Sequence, residues 1–370
     1  MNIPFLNIPS FYEQNKVEID RLFSEILSGG RYILGPNVKA FENEFSQYHQ
    51  VPFSLGLASG TDALLLALRA CGIGTGDEVI VPAFTFISTA STVAYAGAKP
   101  VFADIEPSTF NLTEKTVRAA LTRKTKAVIA VHLYGNPVDL GSLMKLCREK
   151  KLILIEDVAQ AVGAEYNGKK VGTFGKAGCY SFYPTKNLGA AGDGGMVITA
   201  DKKVYSKLFQ LRDHGQSTKY RFETLGYNSR LDELQAGLLR LKLKQLDAWV
   251  VSRRKSASVY SQLLADIRGV QCPVSLPESR HAYNLYTIRA RKRDKLREFL
   301  QEKGIGTAVH YPRPLHVQKA FKDIGIKAGK LPEAEKACKE VLSLPLYPGI
   351  PGEHIEMVAS AIREFYVGVE

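Results

Sequence analysis

The chain has 370 residues, 45% of them hydrophobic and 23% charged, which reads as an ordinary globular protein able to bury a large core, with two domains expected. Its 49 basic and 37 acidic side chains leave a net charge of +12, suited to nucleic acid, a membrane surface or phosphorylated small molecules. No apolar run could span a bilayer, the opening MNIPFLNIPSFYEQNK lacks the features of a secretion signal, and the scattered cysteines show no CxxC pair, so reduced thiols in a cytoplasmic protein are expected.

From about residue 55 to 215, helix-like and strand-like stretches alternate. TDALLLALRACG has a helical pattern ending on Gly72, and DEVIVP is a short β-branched run closed by Pro82. ISTASTVAYAG reads as a helix of small residues and KPVFADI as a strand. TEKTVRAALTRK opens on Thr113 with Glu114 in its first turn, as a helix start should. TKAVIAVHLYG, LGSLMKLCREKK and LILIED continue as strand, helix and strand. Continuously apolar strands separated by helices indicate a doubly wound, mainly parallel sheet, an α/β fold whose ligands bind beyond the carboxyl ends of the strands. A long helical pattern from Ser229 to Ile267 follows, and then the rhythm changes to a smaller C-terminal α/β unit. The expected domains are residues 1–249 and 250–370. The densest basic run, RARKRDKLR, falls where a strand gives way to a helix and reads as a solvated helix start. Without zinc-finger, helix-turn-helix or RNA-binding patterns, nucleic acid is not an expected partner.

Four features fall where strands should end. Ser59, Gly60 and Thr61 stand at the mouth of a helix, where free backbone N–H groups and the dipole suit a phosphate, although read alone this is a plain N-cap. Asp157 follows a buried strand, with Gln160 three residues on; a carboxylate there needs a cation or good hydrogen bonds. Phe84 and Phe86 follow another strand, and core packing is the expectation for Phe86. Lys186 lies between SFYPT and NLGAAGDGGMVIT, whose glycines imply tight turns and close backbone approach; GxxxxGK[ST] is absent, so a nucleotide P-loop is not supported. A phosphate cradle, a ring-stacking aromatic, a carboxylate for a pyridine nitrogen and a lysine able to form a Schiff base together suggest pyridoxal 5′-phosphate.

With these motifs in order, the chain resembles, over essentially its full length, the fold-type I sugar aminotransferases of the DegT/StrS type. The resemblance runs from IPFLNI and GRYILGPNVKAFENEF through SGTDAL, PAFTFISTA, EDVAQAVGA, SFYPTKNLGAAGDGGMV and GYNSRLDELQA to HYPRPLH and LSLPLYPG. It implies that Lys186 is the Schiff-base lysine and Asp157 the partner of the pyridine nitrogen. Gln160 would stand beside the ring's phenolic oxygen, Phe84 would stack on the ring, and Gly60, Thr61 and Ser181 would contact the phosphate. Asn228 matches a residue that reaches the phosphate across a subunit boundary, which implies a homodimer with shared active sites. Tyr183, Lys219, His310 and Tyr311 are the candidates for the substrate side, each with a structural role as its rival.

The resemblance further implies transamination from L-glutamate to a nucleotide-linked keto sugar, with C-3 of a dTDP-3-keto-6-deoxyhexose favoured by AQA paired with KNLGAAGDGG. Val162, where related sequences often carry histidine, bears on subgroup more than on cofactor chemistry. C-4 amination and a UDP-linked 3-keto uronate are the alternatives within the family. Lys186 argues against a related dehydratase, in which histidine takes its place. A non-enzymatic regulator or nucleic-acid binder is the alternative from another class, suggested only by the charge.

Overall fold

Seven strands of a mixed sheet carry the larger part of the molecule, and both faces of that sheet are buried. The computed structural model describes residues 2–324 and 327–368. Strands β1 (Phe53–Leu57), β2 (Glu78–Pro82), β3 (Lys99–Ala103), β4 (Thr125–Val131) and β5 (Ile153–Asp157) precede a short hairpin, β6 (Glu165–Tyr166) and β7 (Lys169–Lys170). Strands β8 (Ala177–Ser181) and β9 (Gly195–Thr199) complete the sheet. The order is β1-β9-β8-β5-β4-β2-β3, and only β9 runs against the rest. The carboxyl ends of the other six strands therefore open onto one rim, where ligands of such sheets bind.

Side-chain alternation explains why the strands read as continuously apolar. Val79 and Val81 of β2 join one core cluster and Ile80 joins the other; in β4, Ala127, Ile129 and Val131 oppose Val128 and Ala130. Helices α1 (Ser10–Gly29), α2 (Pro36–His49), α3 (Gly60–Ala70), α4 (Ser88–Tyr95), α5 (Glu114–Ala120), α6 (Leu140–Glu149), α7 (Lys202–Arg212) and α8 (Glu233–Leu243) accompany the sheet. Among them α3, α4 and α7 cover the first face, and α2, α5, α6 and α8 the second. Each fully buried aliphatic side chain contributes about 1.5–3 kcal/mol. The expected start of α5 is realised as a reciprocal cap between Thr113 and Thr116.

The long pattern from Ser229 to Ile267 divides into α8 and α9 (Leu246–Leu264), interrupted at Lys244 and Gln245. The expected boundary after Trp249 thus falls inside α9, which runs unbroken from the sheet domain into the C-terminal unit. Beyond an exposed hairpin, β10 (Gln216–Thr218) and β11 (Arg221–Phe222), the C-terminal strands are β12 (Val270–Gln271), β13 (Ser279–Arg280), β14 (Tyr286–Ala290) and β15 (Val341–Leu344). β12, β14 and β15 form an antiparallel sheet, whereas β13 pairs with β6. Helices α10 (Arg293–Glu302), α11 (Pro332–Glu340) and α12 (Gly352–Val367) belong to this part. Its core joins Tyr260, Ile288, Leu300, Leu344 and Ile362 to Ile3, whose N–H donates to Gly304 O at 2.9 Å. The first residues accordingly pack with the C-terminal unit. Among the described residues no helix is long and apolar enough to cross a membrane.

The end of β5 carries two adjacent carboxylates pointing to opposite faces of the sheet. Glu156 is fully buried on the face of Leu154. It accepts the N–H groups of Gly172, Phe174 and Gly175 at 2.7, 2.8 and 2.6 Å. His132 Nδ1 accepts the Val138 N–H at 3.0 Å, so its Nε2 carries the hydrogen that faces Glu156 at 3.1 Å. One side chain thereby fixes the turn leading into β8. Glu156→Ala leaves three backbone donors and a histidine without their acceptor. The expected loss is about 3–5 kcal/mol of folding stability, read from the midpoint of urea unfolding.

Candidate active site

Close backbone packing builds the first part of the site. α3 starts at the end of β1, and Ser59 Oγ caps it by accepting the Asp62 N–H at 3.1 Å. The Gly60 and Thr61 N–H groups find no acceptor among the described residues. A Cβ on Gly60 would lie 2.5 Å from Ser181 Cβ, and one on Gly195 would lie 2.2 Å from Ser59 O. Glycine is thus required on both sides of the helix mouth. Ser181 lies half-buried beside it, and Thr61 Oγ1 is 2.8 Å from Ser88 Oγ. Free amides at the positive end of a helix, in a cradle that a side chain would fill, fit a phosphate group.

Asp157 supplies the second part. It is 6% exposed, and its oxygens accept Thr89 Oγ1–H at 2.9 Å and the Ala159 N–H at 3.1 Å. Burial raises its pKa, opposed by these hydrogen bonds and by the positive charge of Lys186. The Lys186 amine is pushed down to about 8 by burial, against the pull of Asp157. Lys186 and Asp157 interact through their charges with no direct hydrogen bond or ion pair between them among the described residues. This donor set fits pyridoxal phosphate.

Gln160 is engaged at both ends of its amide. Its Oε1 accepts the Tyr134 N–H at 2.7 Å, and its Nε2 donates to Tyr311 Oη at 3.0 Å. Burial raises the pKa of Tyr311 and lowers that of His310 to about 4, with Lys186 adding to the latter. His310 Nδ1 pairs with Ser343 Oγ at 3.0 Å, and its carbonyl accepts the Tyr134 hydroxyl. His310 and Tyr311 thereby bring the C-terminal unit to the rim that holds Asp157.

The two phenylalanines differ from expectation in their burial. Phe84 is 1% exposed, enclosed by the rings of Phe110, Tyr134 and Tyr311, whereas Phe86 is 54% exposed and has its centroid 6.1 Å from that of Tyr311. The chain leaves β2 at Pro82 and bends through Phe84, so strand alternation does not extend to either residue. Expecting Phe86 in the core and Phe84 against a ligand is therefore corrected: Phe84 has no free face, and Phe86 does.

Tyr183 is 52% exposed, three residues before Lys186. Lys219 is exposed at the turn between β10 and β11, with its ammonium 5.2 Å from the Tyr220 ring. Asn228 is exposed, its backbone bridged to Asp213. Neither Lys219 nor Asn228 hydrogen-bonds to Asp157, Gln160, His310 or Tyr311 among the described residues. Thr89 and Tyr134 carry the site without a sequence signal of their own; a hydroxyl in the first turn of α4 was the only hint of Thr89.

The fold, built on a large and mainly parallel central sheet, is that of fold-type I aminotransferases. Residues 13–363 match the DegT/DnrJ/EryC1/StrS aminotransferase family, and the chain belongs to it. It is 50% identical to a "Pleiotropic regulatory protein" of Geobacillus stearothermophilus, over 99% of both chains. It is 42% identical to the dTDP-3-amino-3,4,6-trideoxy-alpha-D-glucose transaminase of Streptomyces venezuelae, over 98% of this chain and 96% of that one. The crystal structure of S. venezuelae DesV in complex with a ketimine intermediate superposes with a TM-score of 0.96 at 42% identity, covering 99% of this chain and 98% of that one.

Only a neutral amine attacks an electrophile, and burial shifts Lys186 toward that form, lowering it to about 8. In cofactor-free protein the labelling of Lys186 by acetic anhydride, followed by mass spectrometry, should rise with a midpoint near pH 8. Exposed lysines should follow about 2 units later. A Lys186 midpoint in the surface range would refute the desolvation.

Proposed function

We propose that the protein is a pyridoxal-phosphate aminotransferase that moves the amino group of L-glutamate onto a nucleotide-linked keto sugar. C-3 of a dTDP-3-keto-6-deoxyhexose is the favoured acceptor, for amino-sugar biosynthesis. The observation that carries the reading is a desolvated lysine facing a buried carboxylate beside a helix mouth too tight for side chains. The S. venezuelae relative, named for a 3-amino dTDP sugar, supports the C-3 choice. A UDP-linked acceptor, or amination at C-4, is the alternative within the family.

Bound, the cofactor would supply an electron sink for the carbanion formed when the substrate α-proton leaves. Gly60 and Thr61 would hold its phosphate with their N–H groups, and Ser181 with its hydroxyl. Asp157 would keep a proton on the pyridine nitrogen, because Thr89 and Ala159 hold the carboxylate in place. The Lys186 amine, freed by an incoming amino donor, would move the proton between the substrate α-carbon and the cofactor's C4′. Phe86 would lie over the ring, since its face is open where that of Phe84 is closed. Tyr183, His310 and Tyr311 would meet the sugar, and the exposed Lys219 its diphosphate. Asn228 would complete the phosphate site of a second copy in a homodimer.

The +12 charge and the name of the Geobacillus relative favour a second reading, a regulatory protein. Salt-sensitive DNA binding without a cofactor would be its mark.

The deciding measurement is the visible spectrum of protein supplied with pyridoxal phosphate. A yellow band that bleaches with L-glutamate, returns with the keto sugar and is missing in Lys186→Ala is expected; no band at all would defeat the proposal. The phenylalanines make a paired test. Phe84→Ala should lose about 3–5 kcal/mol of stability. Phe86→Ala should leave stability within about 0.5 kcal/mol and weaken cofactor binding about 3- to 10-fold, read by equilibrium titration.

A further inference from the structure

Lys186 is carried by a loop, and a loop alone does not fix a side chain. Between the end of β8 at Ser181 and the start of β9 at Gly195 the chain forms neither helix nor strand. The Lys186 N–H donates to Tyr183 O at 2.9 Å, closing one turn. Its amine makes no hydrogen bond among the described residues, so the backbone on either side sets its place.

That backbone is held from the C-terminal unit. Asn284 is buried in the segment between β13 and β14. Its Nδ2 donates to Thr185 O and to Asn187 Oδ1, both at 3.3 Å. Asn187, also buried, donates in turn from Nδ2 to Ala282 O at 3.0 Å. The residues before and after Lys186 are therefore gripped by two amides that orient each other. Turning the Asn187 amide over would set its oxygen against the Ala282 carbonyl, so the arrangement has one sense.

The gripping segment is itself anchored. The Ala282 N–H donates to Gly135 O at 2.9 Å, and the Leu285 N–H to Tyr134 O at 3.3 Å. Arg253 Nη1 donates to the carbonyls of Tyr283 and Asn284 at 3.1 and 3.3 Å. A Cβ on Gly135 would lie 2.9 Å from Tyr283 N, so the corner after β4 and this segment meet closely. The same corner presents the Tyr134 N–H that orients Gln160. It thus positions Gln160 directly and Lys186 through Asn284. Groups that do chemistry need neighbours of this kind, locked by packing and hydrogen bonds of their own.

We propose that Asn284 is a positioning residue: it holds the backbone at Thr185 and Asn187 so that Lys186 keeps its buried place. The inference rests on the proposed role of Lys186 as the reactive lysine.

Labelling of Lys186 by acetic anhydride in the full, cofactor-free chain reports the fraction of neutral amine. The midpoint expected near pH 8 should rise by about 1 pH unit in Asn284→Ala, because a loosened segment lets water reach the ammonium. Asn187→Ala should raise it likewise, and carries the test if Asn284→Ala does not fold. Asp157 is untouched by either change, so its pull on the amine is kept. Leu300→Ala, in the C-terminal core, controls for lost stability alone and should leave the midpoint near pH 8. Supplied with pyridoxal phosphate, Asn284→Ala should gain the yellow band about 10-fold more slowly than the unchanged protein. An unmoved midpoint in the asparagine variants, an equal rise in Leu300→Ala, or a band formed at the unchanged rate would overturn the positioning role. A missing band in the unchanged protein would instead defeat the reading of Lys186 as the reactive lysine, while the labelling still judges Asn284.

Discussion

Two carboxylates side by side at the end of β5 set the terms for the rest of the molecule. Strand geometry sends Glu156 and Asp157 to opposite faces, and each must be satisfied where water does not reach. Glu156 gathers three backbone N–H groups and His132, which fixes the turn into β8. Asp157 receives only a hydroxyl and one amide, and keeps the rest of its capacity for a cation. One residue is saturated and structural; its neighbour is under-saturated and therefore available for chemistry.

The same contrast runs through the surrounding rim. Gln160, Tyr311, Tyr134 and His310 are tied to one another, so their positions are determined before any ligand arrives. Lys186, the Gly60 and Thr61 amides and the open face of Phe86 remain unspent. A site of this kind is rigid in its walls and reactive at a few points. That arrangement suits catalysis by positioning and electrostatics.

Much of this was legible in the residues. Asp157 stood out because a charged group closed a buried strand, and Lys186 because glycines crowded the chain after it. The helix mouth at Gly60 was legible as a cap suited to a phosphate, but not the close approach of Ser181 and Gly195 from distant strands that narrows it. Glu156 escaped notice because its partners lie up to 24 residues away in sequence. Phe86 was expected in the core because, once the strand ends at Pro82, the residues alone do not tell which of the two rings stays open. The boundary at Trp249 followed a change of rhythm, whereas the chain crosses between its two parts on a continuous helix.

That helix also bears on how the molecule can move. With α9 spanning both parts, Ile3 bonded to the C-terminal unit and Tyr134 bonded to the backbone of His310, the two halves are tied together at three places. Segments with little packing of their own lie outside these ties. The β10–β11 hairpin is such a segment, with Tyr220 79% and Phe222 59% exposed. Changes of length or residue there could retune what the molecule admits while the frame around Lys186 stays as it is.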